Sequence, residues 1–148
     1  KGYDRQFVYL NAEQRQQYLM RVGAGRIYNY LTNTPFAGET SLISPGSMYV
    51  MDTDERLYIF NGKATNYNHS SFLSGHPVIC AGTIWVINGR IHRITNNSGH
   101  YKPSKKDLAA CIRVILNSYI DQNFEVIVIP GEVTYPTAQD FLATIPIQ

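Results

Sequence analysis

Apolar residues recur along the chain with two different periods, and each period predicts a type of secondary structure. A helical period predicts a helix that begins near Asn11, where Asn11 and Gln14 can form a capping box, and that ends at Gly23-Ala-Gly25. A second short helical segment is predicted over residues 26–31. Residues 32–47 are rich in Thr, Ser, Gly and Pro and are predicted to form a loop, and loops of this length in compact domains are often functional.

Strand-forming residues dominate the next part of the chain. Residues 48–52 and 56–60 are predicted to form a β-hairpin around the acidic turn between them. A long strand is predicted over residues 77–87, and the Asn88-Gly89 pair that follows it favours a type I′ hairpin turn.

The two-residue turn also predicts the register of this second hairpin. Val86 is expected to face Ile91, and Trp85 is expected to face His92.

The last third of the chain returns to a helical period. Ser104 and Asp107 predict a capping box that opens a helix, and the apolar stripe of that helix consists of Leu108, Ile112, Ile115, Leu116 and Tyr119. A strand over residues 124–129, stopped by Pro130-Gly131, and a short helix over residues 137–143 are predicted to follow. Because strands come in runs and helices flank them, we predict one α+β domain over residues 1–148, with mostly antiparallel β-sheets flanked by helices.

Composition excludes some functional classes and leaves others open. The chain has 148 residues, 44% of them hydrophobic and 16% charged, with a net charge of +2. This charge is too small to indicate nucleic-acid binding on electrostatic grounds. Neither a membrane span nor a signal peptide is visible, and the start at Lys1 without Met suggests an excised fragment of a longer protein. The 11 tyrosines are compatible with a binding surface or with ordinary sheet edges.

The cysteines and histidines show no metal-site spacing. Cys80 and Cys111 each lie in an apolar run, so two buried free thiols are a simpler expectation than a disulfide. No metal site is predicted.

Two polar segments are the candidates for chemistry. His69-Ser70-Ser71-Phe-Leu-Ser-Gly75 and Asn96-Asn-Ser98-Gly-His100-Tyr101-Lys102-Pro103 both combine a histidine with small residues, which allow close approach of a ligand to the backbone. We expect the hairpin between them to bring both segments to one end of the sheet. The alternative for each is a turn in which the Ser and His side chains cap backbone groups.

These same segments resemble a known family. His69-Ser-Ser-Phe-Leu-Ser-Gly75 followed by Ser98-Gly-His-Tyr101 and Pro103, with the Asn88-Gly89 turn between them, resembles the shared domain of plant IQ-motif calmodulin-binding proteins. The resemblance covers roughly residues 48–116, and the first 47 residues match no family. Because no basic IQ helix is visible, calmodulin binding is not expected here.

The chain also resembles bacterial proteins that carry the same pair of segments, many of which look like secreted effectors. It is similar to the C-terminal toxin ends of Rhs-type proteins. This resemblance implies a secreted toxin that acts in the cytoplasm of a target cell in interbacterial competition, with a cognate immunity protein and a protein or nucleic-acid target.

Within that resemblance, the leading hypothesis is an ADP-ribosyltransferase-like fold and activity, a glycosyltransferase chemistry with NAD as substrate. His69, His100 and Glu125 would be catalytic, with Glu132 as the other candidate carboxylate. A carboxylate stabilises the cation-like transition state as the nicotinamide–ribose bond breaks. The ligand would be held by Ser70, Ser71 and Lys102, and Tyr101 would stack on nicotinamide.

Two other functions remain open. A metal-independent nuclease needs only two histidines as general base and acid and a lysine for the phosphate, and His69, His100 and Lys102 would supply them. A non-enzymatic module would instead use the tyrosine-rich surface to bind a protein.

Overall fold

The computed structural model describes residues 12–60, 77–99 and 101–146. Over these residues, the helices are α1 (Ala12–Arg15), α2 (Lys105–Tyr119) and α3 (Ala138–Leu142), and a 3-10 turn (Gln16–Tyr18) follows α1. The strands are β1 (Met20–Gly23), β2 (Arg26–Asn29), β3 (Ser47–Asp52), β4 (Leu57–Phe60), β5 (Val78–Ile87), β6 (Arg90–Thr95), β7 (Glu125–Val128) and β8 (Val133–Tyr135).

A six-stranded sheet organises the molecule, with the strand order β4-β3-β5-β6-β7-β8. Neighbouring strands are antiparallel except β6 and β7, which are parallel and are connected through α2. The predicted α+β class with a mostly antiparallel sheet is therefore confirmed. None of the helices in the described ranges is long and apolar enough to cross a membrane.

The predicted helices near the start of the chain are mostly wrong. Over residues 12–18, where the described chain begins, a short helix and a 3-10 turn form, and β1 and β2 then pair as a separate two-stranded antiparallel hairpin. Gly23 and Gly25 do not end a helix, contrary to the prediction. Gly25, with φ of +71°, makes the hairpin turn, and its N–H donates to the Tyr119 carbonyl at 2.9 Å. Side chains alternate in a strand, so Ile27 is fully buried while Tyr28 on the other face pairs with Arg21.

The predicted β3–β4 hairpin and the Asn-Gly turn are confirmed. Asn88 and Gly89 both have positive φ, at 51° and 81°, as a type I′ turn requires. Val86 pairs with Ile91 as predicted.

The predicted pairing of Trp85 with His92 is wrong, because the register shifts between Trp85 and Val86. Trp85 faces Arg93 instead, and His92 is exposed. His92 is an extra residue on β6 at this point, and an extra residue moves the side chains beyond it to the other face of the sheet. The two-residue turn gives no sign of this shift.

Helix α2 covers one face of the sheet and forms the main core with it. Its predicted capping box is present, since the Ser104 side chain accepts from the Asp107 N–H and the Asp107 side chain accepts from the Ser104 N–H. Four members of the predicted stripe are buried (Leu108, Ile112, Ile115 and Tyr119), and Leu116 packs half-buried beside them.

The cysteines lie in this core as free, buried thiols, as predicted. Burial raises the pKa of the Cys80 thiol to about 12. The thiolate is the nucleophilic form of cysteine, and burial disfavours it at Cys80.

The C-terminal part completes the sheet. The predicted strand is confirmed as β7, and the predicted final helix as α3. Strand β8 was not predicted, because Val133 and Thr134 are exposed and give no apolar alternation to detect.

The sheet face opposite α2 carries a second, smaller apolar cluster. Val50, Tyr58, Phe60 and Ala81 are buried there, and Tyr101 packs against them. The loop over residues 39–46 lies over another part of the sheet, where the Trp85 Nε1–H donates to the Ser44 carbonyl at 2.7 Å.

Candidate functional site

A cleft lies where the two parallel strands end. The carboxyl ends of parallel strands meet at one edge of a sheet, and here the loop after β6 and the turn after β7 lie beside each other. The cleft between them has a volume of about 360 Å³. It is lined by Asn96, Asn97, Ser98, Gly99, Lys102, Pro103, Ile129 and Pro130.

Asn96 holds the two walls of the cleft together. Its side chain is buried, and Nδ2 donates to the Pro103 and Ile129 carbonyls, both at 2.9 Å. Its Oδ1 accepts from the Ile129 N–H at 2.7 Å. One side chain therefore satisfies three backbone groups on two loops, which fixes the width of the cleft.

The end of β6 is fixed from the core side as well. The buried Tyr49 hydroxyl donates to the Thr95 carbonyl at 2.7 Å. The Thr95 hydroxyl oxygen accepts from the Thr83 and Asn97 N–H groups, at 3.2 and 3.0 Å. Gly82 lies so close to the Thr95 carbonyl that a Cβ atom there would collide with it. The loop thus leaves β6 from a rigid strand end.

Ser98 holds the backbone of Tyr101 and Lys102 and so defines a turn. The Tyr101 N–H donates to the Ser98 hydroxyl at 3.2 Å, and the Lys102 N–H donates to the Ser98 carbonyl at 2.9 Å. Ser98 is buried, and Lys102 has φ of +47° and an exposed side chain on the cleft wall.

Tyr101 supports this turn on the side of the second apolar cluster. Its ring packs half-buried against that cluster, and burial raises the pKa of its hydroxyl. Its ring therefore holds the turn against the sheet.

Four of the predicted site residues, His69, Ser70, Ser71 and His100, lie outside the described residues. The described chain resumes at Pro77, and β5 begins at Val78. Since β5 is antiparallel to β6, it begins at the end of the hairpin where β6 finishes. The described residues that are next to the two motifs in sequence therefore lie towards one end of the sheet, and contact between the motifs stays a prediction.

Glu125 lies away from this edge. It is four residues before Ile129, which is about 13 Å along an extended strand. Its carboxylate forms an ion pair with Arg93, whose guanidinium lies 4.9 Å from the Trp85 ring centre. The other candidate carboxylate, Glu132, is exposed in the turn after Ile129, with φ of +51°.

Lys102, Lys105 and Lys106 are close together in sequence but lie apart in the structure. Lys105 turns to Tyr135, where its Nζ lies 3.3 Å from the hydroxyl and 5.5 Å from the ring centre. Lys106 is exposed on α2, and Lys102 lines the cleft. Over the described ranges, no three His, Cys, Asp or Glu side chains come together as a metal-binding group.

Sequence reasoning did not single out Asn96 as a tether, or Ile129 and Pro130 as a wall. The available signal was the position of Asn96 at the start of the polar segment that contains Ser98 and His100. Its partner at Ile129 is 33 residues away, so no local pattern joins them.

Comparison with known proteins now places the chain in a family. The family model described as the IQ motif-containing protein middle domain matches residues 14–108, which is more than half of the chain. The chain belongs to this family. The match contains β1 to β6, the cleft loop and the start of α2, so the expectation that the first 47 residues match no family is wrong for residues 14–47.

Several plant relatives of this middle domain are similar over a limited length. IQ domain-containing protein IQM3 of Arabidopsis thaliana is 35% identical over 102 residues, which is 68% of this chain and 22% of that protein. IQM4 of the same plant is 29% identical over 113 residues, which is 76% of this chain and 21% of that protein. The chain therefore spans about a fifth of these relatives. No solved structure gives a significant match.

The resemblance to the plant IQ-motif proteins is thus confirmed at the level of the middle domain. Neither the family description nor the names of the relatives mention a toxin or an ADP-ribosyltransferase. The bacterial toxin context stays a prediction.

Proposed function

We propose that this middle domain binds a phosphate-bearing nucleotide in the cleft at the carboxyl edge of β6 and β7, and that the nucleotide is NAD. The observation that supports this most is the rigid pair of loops at the ends of two parallel strands. Ligands of α/β sheets bind outside the carboxyl ends of strands, where two loops diverge. The cleft volume of about 360 Å³ falls within the range of small-molecule sites.

The lining of the cleft suits a phosphate group. Lys102 supplies a positive charge on an exposed side chain. Gly99 has open space where a Cβ would stand, so a ligand can approach the backbone of this loop. Asn96 holds both walls before the ligand arrives, so little ordering is needed on binding.

The proposed reaction is ADP-ribosyl transfer. The bond between the ribose C1′ and the nicotinamide nitrogen breaks, and nicotinamide leaves with the electron pair. A nucleophile of the target attacks C1′ and loses its proton to a general base, for which His69 and His100 are the candidates. Because Glu125 is neutralised by Arg93 and lies along the strand, Glu132 is the carboxylate that we propose near the cationic ribose.

Ligand binding is the first test. We would titrate the domain with NAD and with ADP-ribose by calorimetry, using Lys102→Gln and, as a matched control, Lys106→Gln. Loss of a charged hydrogen bond should weaken binding by about tenfold in the Lys102 variant. The Lys106 variant should bind as the parent does. Absence of binding, or equal binding by both variants, would contradict the proposed site.

Chemistry is tested separately. The domain is incubated with labelled NAD and a cell lysate, beside a folded His69→Ala, His100→Ala double variant. Release of nicotinamide and transfer of label by the parent alone would support the transferase. NAD binding without turnover would leave a nucleotide-binding module, and degradation of RNA without NAD consumption would favour the nuclease.

The wider biological context is part of the proposal. A secreted toxin with an immunity protein and a target in a recipient cell would explain an NAD-dependent activity. The IQ domain after which the plant relatives are named is a property of those longer proteins, and the proposal for this chain does not include it.

A further inference from the structure

The described residues form a second and larger cleft. It has a volume of about 620 Å³ and is bounded by the β1–β2 hairpin, the turn between β3 and β4, and the last part of α2. It shares no lining residue with the cleft at the strand ends. Its lining mixes polar and apolar side chains, and beneath it lie Met20, Met51, Leu57 and Ile115, which are buried in the main core. The aliphatic side chains that stay partly accessible in the cleft are Leu19, Val22 and Val114.

One cation on the rim is held in a fixed position. The Arg21 Nε and Nη2 groups both donate to the Asn33 Oδ1, at 3.1 and 2.6 Å. Its guanidinium carbon lies 4.2 Å from the centre of the Tyr28 ring. The side chain is therefore preorganised, and a guanidinium has further N–H donors that Asn33 does not use.

The charge of Arg21 is not neutralised by its neighbours. Asn33 and Tyr28 are both uncharged, and the ion pairs found within the described ranges do not include Arg21. The other arginine on the rim differs. Arg56 is paired with Asp52 at 2.8 Å and with Asp54 at 3.1 Å.

The remaining charge on the rim gives the cleft a polarity. Glu55 lies next to Arg56 on the turn between β3 and β4, and it also lines the cleft. A ligand anion is repelled from this carboxylate and attracted to Arg21. The polar end of a ligand is therefore directed to the hairpin side.

From this charge arrangement we infer that the second cleft binds a small monocarboxylate with an apolar body. The carboxylate pairs with the free donors of Arg21, and the apolar body packs against the partly accessible side chains of Leu19, Val22 and Val114. An arginine fork matches a carboxylate bidentately, and ligand sites commonly combine apolar side chains with a few placed polar groups. The inference does not depend on NAD binding.

The test compares two probes that differ in charge. Decanoate and its neutral counterpart decanol are titrated against the full chain by calorimetry, below the concentration at which decanoate forms micelles. Three variants are used beside the parent: Arg21→Gln, the control Arg113→Gln on an exposed part of α2, and Val114→Phe, which fills the cleft. Circular dichroism confirms that each variant is folded.

The expected pattern has three parts. The parent and Arg113→Gln bind both probes saturably. Arg21→Gln weakens decanoate binding by about tenfold and leaves decanol within about twofold, because one charged hydrogen-bond donor is lost. Val114→Phe weakens both probes.

Three results would overturn the inference. One is the absence of saturable decanoate binding by the parent. Another is an equal loss for decanoate and decanol in Arg21→Gln. The third is decanoate binding by Arg21→Gln that matches binding by Arg113→Gln. Lys102→Gln, which changes only the first cleft, should leave decanoate binding unchanged, so failure at one cleft is distinguishable from failure at the other.

Discussion

Replacing Asn96 by Ala should destabilise the domain strongly, although the substitution removes only a small polar group. The side chain makes three hydrogen bonds to backbone groups of Pro103 and Ile129. Each such bond contributes about 1 kcal/mol net, so their sum is about 3 kcal/mol. Pro103 and Ile129 are half-buried, so water can replace part of the loss, and we expect a decrease of about 2–4 kcal/mol in the free energy of unfolding.

Urea unfolding, followed by circular dichroism, measures this loss. With a slope of about 2 kcal/mol per molar urea, the midpoint should fall by about 1–2 M without a change of slope. The control is Asn97→Ala, since Asn97 is exposed and uses its backbone N–H, and it should cost less than about 0.5 kcal/mol. If the two variants unfold at the same urea concentration, Asn96 does not hold the cleft together.

Three further predictions concern stability and reactivity. Gly82→Ala should lower the free energy of unfolding by about 1–3 kcal/mol in the same assay, because the added Cβ meets the Thr95 carbonyl; an unchanged midpoint would contradict the close packing. Ser104→Ala removes the capping box with Asp107 and should cost about 1 kcal/mol, and no loss of α2 stability in hydrogen exchange would argue against the cap. Cys80 should resist iodoacetamide in the native state at pH 8, and rapid labelling of the native protein, measured by mass spectrometry, would refute its burial. Because the pKa of Cys80 rises from 9.0 to about 12 on folding, the contribution of this thiol to stability is full below pH 9 and is lost as the pH rises towards 12.

Local signals predicted several elements well. The Ser104 and Asp107 side chains define the start of α2 within four residues, and Asn88-Gly89 defines a turn by itself. In both cases the residues that form the structure are close together in sequence, so the sequence predicts the feature without knowledge of tertiary contacts.

The first hairpin shows where this reasoning fails. Tyr18, Leu19 and Val22 fit a helical period, and Met20, Val22 and Ile27 fit a strand hairpin equally well. Contacts with distant segments favour the hairpin, since Leu19 pairs with Tyr58 across an isolated bridge and Gly25 bonds to the end of α2. Short apolar segments are ambiguous without such contacts.

The candidate site was predictable only in part. The Ser98-Gly-His-Tyr segment was identified from its residue types, and Lys102 from its charge. The opposite wall at Ile129 was not, because α2 separates it from Asn96 in sequence. Likewise, the pairing of Glu125 with Arg93 was not predictable, because it depends on the parallel register of β6 and β7.

The position of Trp85 gives the molecule an intrinsic optical reporter. It is the one tryptophan of the chain, and its indole donates to the Ser44 carbonyl while Arg93 lies over the ring. Indole emission depends on local polarity and nearby charge, so the fluorescence of the unlabelled protein reports on the loop over residues 39–46 and on the Arg93–Glu125 pair. Displacement of that loop by a partner would appear as a spectral shift, without any dye.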